Sequence, residues 1–558
     1  MKKKNQLLKQ TLSKIKRWFL LRDSPRRPKL KTLFLSFLFV ELLCLSTRLP
    51  NLLLQPPHGD EGVYMRWADI IRENPKEWLF ISTTEGKQPF FMWMTAFVGY
   101  SLSSDPYYGG RIISVFASLI SCACCFLLGY LLFSFRAGIF SALFYIFSPY
   151  MLTQDRIAMV DSLLNAFSLL TILFTLLLID KKGPRIITAL ALGISMGCSY
   201  LTKSPGILFI TAVGISIIIF SKNKKDVFLW LSFILAYIVA FAIIIPYFVL
   251  SPPTIIAGTN KFFHQASHFF SISELLSFPY RTWLASLSFV LAHTKYFHNI
   301  LLLFLMITVL FHLILGNRGE LFLALFVGIY VFIPMLVSKG LNDYRYVLFA
   351  FPPLYILAAN ILDFFVFWTN RLIHFSKTKI AIVLVLLVVS PSFYFVYCLI
   401  FSFEKTPFPG TYRNTYIESF WAAYRTPEAI SFLKEEIKEK EDIVFLLPVA
   451  WGNPSDPVYL YFKKNPKITI HEAWWWPDKN PHLIPNYRSI EMFLSKYQQK
   501  NAYILYPESL ENKDVYTITN SWYTPSSYVL AYNPEFKLLR SFPHKTHSID
   551  VYVKYGKQ

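Results

Sequence analysis

Two neighbouring carboxylates, Asp60 and Glu61, lie in His58-Gly59-Asp60-Glu61-Gly62-Val63-Tyr64, and Lys87 follows in Gly86-Lys87-Gln88-Pro89-Phe90. Arg156 and Asp161, Lys203 in Leu201-Thr202-Lys203-Ser204-Pro205-Gly206, and the group Lys339, Asp343, Tyr344, Arg345 and Tyr346 recur further along. Each set borders an apolar stretch, where ionisable groups are costly and therefore need a reason to be present. Cations at such a boundary suit a lipid phosphate, and carboxylates beside them suit proton transfer from a hydroxyl nucleophile. Asp60, Glu61 and Asp161 are the candidate catalytic acids. Lys87, Arg156, Lys203, Lys339, Tyr344 and Arg345 are the candidate phosphate ligands. In the chemistry these residues could support, an acceptor hydroxyl displaces a phosphate. A carboxylate taking the hydroxyl proton is worth about 10²–10⁴-fold, and cations neutralise the departing phosphate. No metal or cofactor is required by that scheme.

Each residue also has a plainer use. Asp60 could cap a helix starting near Val63, and Glu61 could favour its first turn. Lys87 could snorkel to a headgroup, Arg156 and Asp161 could pair across a tight turn, and Tyr344 and Tyr346 could belong to an interfacial aromatic belt.

The elements that must position these groups are apolar. The chain has 558 residues, 54% hydrophobic and only 16% charged, which predicts a polytopic α-helical membrane protein. Eleven apolar segments read as spans: 32–52, 111–133, 138–152, 159–179, 186–202, 205–221, 227–249, 297–316, 321–337, 345–368 and 380–402. The first 31 residues carry twelve Lys or Arg and one acid, Asp23, as a cytoplasmic tail would. Alternation from a cytoplasmic N-terminus then puts the short basic loops at 135–136, 181–185, 222–225, 317–318 and 371–379 inside, as charge bias requires. It sends the first outer loop, 53–110, the loop 250–296 and everything after 402 outside, so the expected location is the plasma (inner) membrane. Segment 282–292 reads as re-entrant or interfacial, and 90–102 as a helix lying along the interface.

Residues 403–558 change character, becoming mixed in charge and free of cysteine. Thr426-Pro427-Glu428 signals a helix start with threonine as N-cap. Strand-like runs at 443–447, 467–470, 502–506 and 549–555, with a helix near 488–499, predict an extracytoplasmic α/β domain.

Several classes drop out. The net charge of +21 lies in short loops, where topology and anionic lipid explain it better than nucleic acid does. The six cysteines lie in or beside apolar segments without metal-ligand spacing. His264 and His268 have an i, i+4 spacing but no acidic third ligand nearby. Trp474-Trp475-Trp476-Pro477-Asp478 departs from the Trp-Trp-Asp motif of oligosaccharyltransferases and reads as a packing surface.

Taken in order, Asp60-Glu61-x-x-Tyr64, Gly86-Lys87-Gln88-Pro89 through Trp93, Arg111, Arg156-x4-Asp161, Leu201-x-Lys203-x-Pro205 and Arg345-Tyr346 leading to Pro352-Pro353 resemble a known family. It is the GT-C class of polyprenyl-phosphate-dependent glycosyltransferases, and within it the protein O-mannosyltransferases and lipid A aminoarabinose transferases. The resemblance covers roughly residues 32–360 and implies a GT-C-like catalytic domain over 32–402. It further implies inverting, metal-independent sugar transfer from a polyprenyl phosphate to a protein, lipid or glycan acceptor at the outer face. Asp60 would be the base or acceptor-positioning acid, with Lys87, Lys203 and Arg345 on the phosphate and Glu61, Asp161 and Tyr344 in support. Gln88 replaces a common proline and Ser204 a common glycine, which leaves the acceptor open. The competing reading is a lipid or solute transporter. Transporters tend to carry broken polar helices at the bilayer midplane or an internal repeat, and neither is found in the sequence.

Overall fold

A computed structural model describes residues 28–221, 223–250, 269–315, 317–341, 343–419, 422, 424–448, 452, 454–476, 503–505, 510, 512–521 and 526–556. All eleven apolar segments are helical within it. Among the described residues eight helices are long and apolar enough to cross a membrane, or nine if one bent pair is a single span. The shortfall against eleven has three local causes. The third segment breaks into Phe135–Ile146 and Pro149–Asp155, bent by 65°. Pro149 opens the second piece and Ser148 caps it, accepting from the Met151 amide at 3.3 Å. Gly206–Phe220 has 15 residues, about 22 Å of helix against a ~30 Å hydrocarbon core. Ile300–Leu315 is likewise short. The interfacial candidate at 282–292 lies in an 18-residue helix, Tyr280–Phe297, which is long enough but not apolar enough to join the spanning set.

The loop 53–110 is largely helical. It runs through Gly59–Glu73, Pro75–Trp78, a 3₁₀ turn at Ile81–Glu85 and a short apolar helical stretch, Phe90–Leu102. After the last apolar helix, Phe393–Phe401, a short turn and a π-turn at Asn414–Glu418 lead to helix Thr426–Glu436. That helix starts one residue earlier than expected. Arg425 is its cap position, and the buried Thr426 hydroxyl has no hydrogen-bond partner.

A six-stranded mixed sheet follows, with β1 Ile443–Pro448, β2 Ile468–Trp476, β3 Tyr503–Leu505, β4 Val515–Asn520, β5 Lys537–His544 and β6 His547–Lys554 in the order β3-β2-β1-β4-β6-β5. β1 pairs in parallel with β2 and β4, while β4–β6 and β5–β6 are antiparallel. Because β1 is central, it is buried on both faces. Ile443, Phe445 and Leu447 pack towards helix Thr426–Glu436, and Val444 and Leu446 pack towards Val529 and Phe536. The sequence had not marked β4 or β5. β5 is a largely exposed edge strand without a continuous apolar run, so hydrophobic pattern alone does not reveal it. The expected helix at 488–499, the His264–His268 pair and the Trp474–Trp476 side chains lie outside the described residues.

Candidate active site

Five segments, separated in sequence, bring charged side chains into one partly exposed cluster, the candidate cleft. Asp60 sits in the first turn of helix Gly59–Glu73, and Asp161 in the first turn of Val160–Ile179. Both are positions where the helix dipole favours an acid. Lys203 ends helix Arg185–Thr202 in extended backbone (φ −162°, ψ 143°). The turn after it is tight enough that a Cβ on Gly206 would lie 2.5 Å from the Ser199 carbonyl carbon, so glycine at 206 lets the chain reverse and leaves Lys203 at the mouth. Arg345 follows Asp343, whose carboxylate caps the 3₁₀ helix Tyr344–Ala350 by accepting from the Arg345 amide at 2.9 Å.

These groups form an alternating chain of charge. Lys87 Nζ is 4.0 Å from Asp60 Oδ1, and Asp60 Oδ2 is 3.5 Å from Arg345 Nη1. Arg345 Nη1 is also 3.9 Å from Asp161 Oδ2, and its Nε donates to Asp343 Oδ2 at 2.6 Å. Lys203 Nζ closes the chain on Asp161 Oδ1 at 2.7 Å. Asp161 is 1% exposed, while the other members are 22–34% exposed. Aromatic faces back two of the cations. Lys87 lies 4.9 Å from the Tyr64 ring centroid and 5.8 Å from that of Trp67, and Lys203 lies 5.3 Å from that of Tyr346. His58 and Tyr416, from the π-turn after the last apolar helix, meet beside the cleft with ring centroids 5.7 Å apart.

The contacts fall into two classes. Lys203–Asp161 and Arg345–Asp343 are tight hydrogen-bonded pairs, whereas the contacts to Asp60 are loose, at 3.5 and 4.0 Å. Burial would raise the Asp60 carboxyl, but Lys87, Arg345, His58 and Lys203 outweigh it and hold it well below the usual carboxylate range. Burial likewise works against the Asp343 carboxylate, and Arg345 overrides it downward.

The remaining candidates stand elsewhere. Glu61 turns away from the cleft and is saturated. Its Oε1 accepts from Arg111 Nε at 2.6 Å and the Ala158 amide at 2.8 Å, and its Oε2 from Arg111 Nη2 at 2.8 Å and the His58 amide at 3.1 Å. Arg156 closes the C-terminus of helix Leu30–Arg48 by donating to the carbonyls of Thr47, Arg48, Pro50 and Asn51 at 2.6–3.3 Å. Unlike the pair that spacing suggested, it makes no ion pair with Asp161. Lys339 pairs with Glu274 at 2.7 Å on the surface. Tyr344 is fully buried, donating or accepting at Thr294 Oγ1 (2.7 Å) and packing on Tyr150 and Phe297. Sequence reasoning missed Tyr416, which arrives from beyond the last apolar helix and carries no local motif.

Among the described residues no three His, Cys, Asp or Glu side chains gather as a metal site. The three cleft carboxylates instead face Lys and Arg.

A family model described as dolichyl-phosphate-mannose-protein mannosyltransferase matches residues 79–259. No curated protein sequence matches the chain. Among solved structures, the fold is similar to that of ArnT from Cupriavidus metallidurans bound to undecaprenyl phosphate, at 15% identity and a TM-score of 0.58, covering 95% of this chain and 100% of that one. The apo state of the same protein gives 14% identity, a TM-score of 0.56 and coverage of 94% and 99%. The Archaeoglobus fulgidus oligosaccharyltransferase tethered with an acceptor peptide gives 13% identity and a TM-score of 0.51, covering 95% of this chain and 74% of that one. At such identities the likeness is one of fold. The chain shares the overall fold of these solved membrane proteins.

Proposed function

We propose that this protein is a membrane glycosyltransferase that moves a sugar from a polyprenyl-phosphate donor to a hydroxyl-bearing acceptor at the outer face. The observation that carries the reading is the chain Lys87–Asp60–Arg345–Asp161–Lys203, three cations and two carboxylates from five segments. Both contacts to Asp60 are loose, at 3.5 and 4.0 Å. A donor phosphate placed between Lys203, Arg345 and Lys87 re-pairs those cations, and Asp60 regains ordinary basicity as they leave it. The low pKa of Asp60 thus rises as the donor seats, which matches base strength to the moment of use.

The acceptor oxygen attacks the anomeric carbon as its proton passes to Asp60. The bond from that carbon to the phosphate oxygen breaks, and its electron pair stays with the phosphate, held by Lys203, Arg345 and Lys87. Attack opposite the leaving group inverts the anomeric centre. Asp161 holds Lys203 in register and Asp343 holds Arg345. Side-chain cations supply the charge that a metal would otherwise provide.

The same reading takes eleven crossings, with the three short or bent helices completing the bundle. It puts the N-terminus in the cytoplasm, and Asp60, Arg345 and the domain 403–558 on the outer side of the inner membrane. The short basic loops on alternate connections support it. Purified protein supplied with a polyprenyl-phosphate sugar and a hydroxyl acceptor should transfer sugar in the presence of chelator, and Asp60→Asn and Lys87→Ala should lose turnover. Equal turnover in all three proteins, or labelling of residues 60 and 345 from opposite sides of the membrane, refutes it.

A further inference from the structure

Helix Gly59–Glu73 carries Asp60 on one side and is gripped on another by the C-terminal domain. The grip falls at Gly59, Gly62, Arg66, Asp69 and Glu73, whose three-and-four spacing makes one stripe of the helix. Gly452 presses on the first turn, where an added Cβ would lie 2.5 Å from the Gly59 carbonyl oxygen, and its φ of +74° already favours glycine. At Gly62 a Cβ would meet Asp456 Cβ at 3.3 Å. Asp456, 1% exposed, accepts from Arg66 Nη1 at 3.1 Å and from the Gly452 amide at 2.9 Å. The Arg66 guanidinium lies 4.6 Å from the Tyr459 ring centroid. Lys463 pairs with Asp69 and reaches Glu73 Oε1 at 2.7 Å. Lys203, Arg345 and Asp161 belong to other elements and have no part in this grip.

Resting on the function proposed above, we infer that the C-terminal domain sets where the Asp60 carboxylate stands, with Asp456 and Gly452 as positioning residues acting through the helix. Asp60 lies six residues, about 9 Å of helix, from Arg66, so a tilt at the ion pair displaces the carboxylate while leaving Lys203 and Arg345, the cations on other elements, in place. The groups facing Asp60 are Lys87 from its own loop, His58 before its helix, Arg345 with Asp343, and Lys203 with Asp161. Drawing Asp60 away from Arg345 and Lys87 removes the charges that keep it ionised.

The test uses full-length protein in nanodiscs with Asp456→Ala and Gly452→Ala, each checked for monodispersity and melting. Donor affinity stays within about twofold, kcat falls about tenfold or more because small misplacements are costly, and an acid limb enters kcat/KM near the ordinary carboxylate value of ~4. A readout independent of turnover replaces Asp60 with cysteine, all six native cysteines being buried. The pH midpoint of its alkylation by iodoacetamide lies below the ordinary ~8.5, and either second substitution raises it. An unmoved midpoint overturns the inference whether or not the protein transfers sugar. A midpoint that moves in a protein without transferase activity supports the positioning role and overturns the functional reading alone.

Discussion

Arg111 lies side-on to Glu61, with Nε 2.6 Å from Oε1 and Nη2 2.8 Å from Oε2, and neither side chain is more than 1% exposed. Two adjacent acids therefore do different work. Successive helical residues point about 100° apart, so Glu61 faces the protein interior while Asp60 faces the cleft. Removing one partner of a buried pair leaves the other charge uncompensated, at a cost of about 3–5 kcal/mol. Glu61→Gln should therefore lower melting temperature and yield markedly. The protein that does fold should keep a normal donor affinity, measured by equilibrium binding of polyprenyl phosphate.

Asp60→Asn should behave in the opposite way. The carboxylate is 29% exposed and its contacts are loose, so the fold tolerates the amide. Turnover should drop about 10²–10⁴-fold, the range for a lost general base, while the protein still folds and loses only the modest stability that its loose ion contacts supply. A variant that keeps kcat within twofold would remove Asp60 from the chemistry.

The separation of these roles explains what the sequence could and could not convey. Hydropathy patterns located the eleven apolar segments that are helical among the described residues, because such patterns follow from the solvent each segment meets. They could not reveal that Pro149 splits one segment, or that two others fall short of membrane length. Asp60, Lys87, Asp161, Lys203 and Arg345 were legible as charges beside apolar segments, and the fold gathers them. Arg156 carried the same signature, yet its guanidinium is consumed by four carbonyls of a helix end. Spacing records where a charge lies along the chain but not which backbone groups will need it. Tyr416 and Asp456 reach the site or its supporting helix from beyond residue 400, a long-range closure without local pattern.

Lys203 and Asp161 should act as a unit. Lys203→Gln removes a charge-assisted contact worth about 1.5–3 kcal/mol, so donor affinity should fall about 10- to 100-fold. Asp161→Asn should weaken binding through loss of Lys203 alignment, and the double variant should be little worse than Lys203→Gln. Isothermal titration with the polyprenyl phosphate measures all three. Additive losses would mean that Asp161 acts independently of the lysine.

Arg156→Ala should report on architecture alone. It strands the last carbonyls of helix Leu30–Arg48 and the turn after it, with a penalty of about 1–3 kcal/mol for a buried group left unsatisfied. Arg156→Lys should recover little, because one ammonium lacks the planar fork that spans carbonyls from Thr47 to Asn51. Melting should fall in both variants while donor affinity holds.

The acid side of the stability profile follows from Asp60. Burial opposes its charge, but Lys87, Arg345, His58 and Lys203 hold its folded-state pKa well below the usual value. A carboxylate lowered by folding stabilises the native state fully above its unfolded pKa of ~3.9, and that contribution is lost as pH falls towards the folded value. The stability gap between wild type and Asp60→Asn should therefore be constant above about pH 5 and shrink below about pH 4. Because Asp60 is partly exposed, added salt should narrow the gap at neutral pH as well. Denaturant melts of both proteins between pH 3 and 7, at low and high salt, measure this. A gap that widens on acidification would mean that the cations repel, rather than hold, whatever occupies position 60.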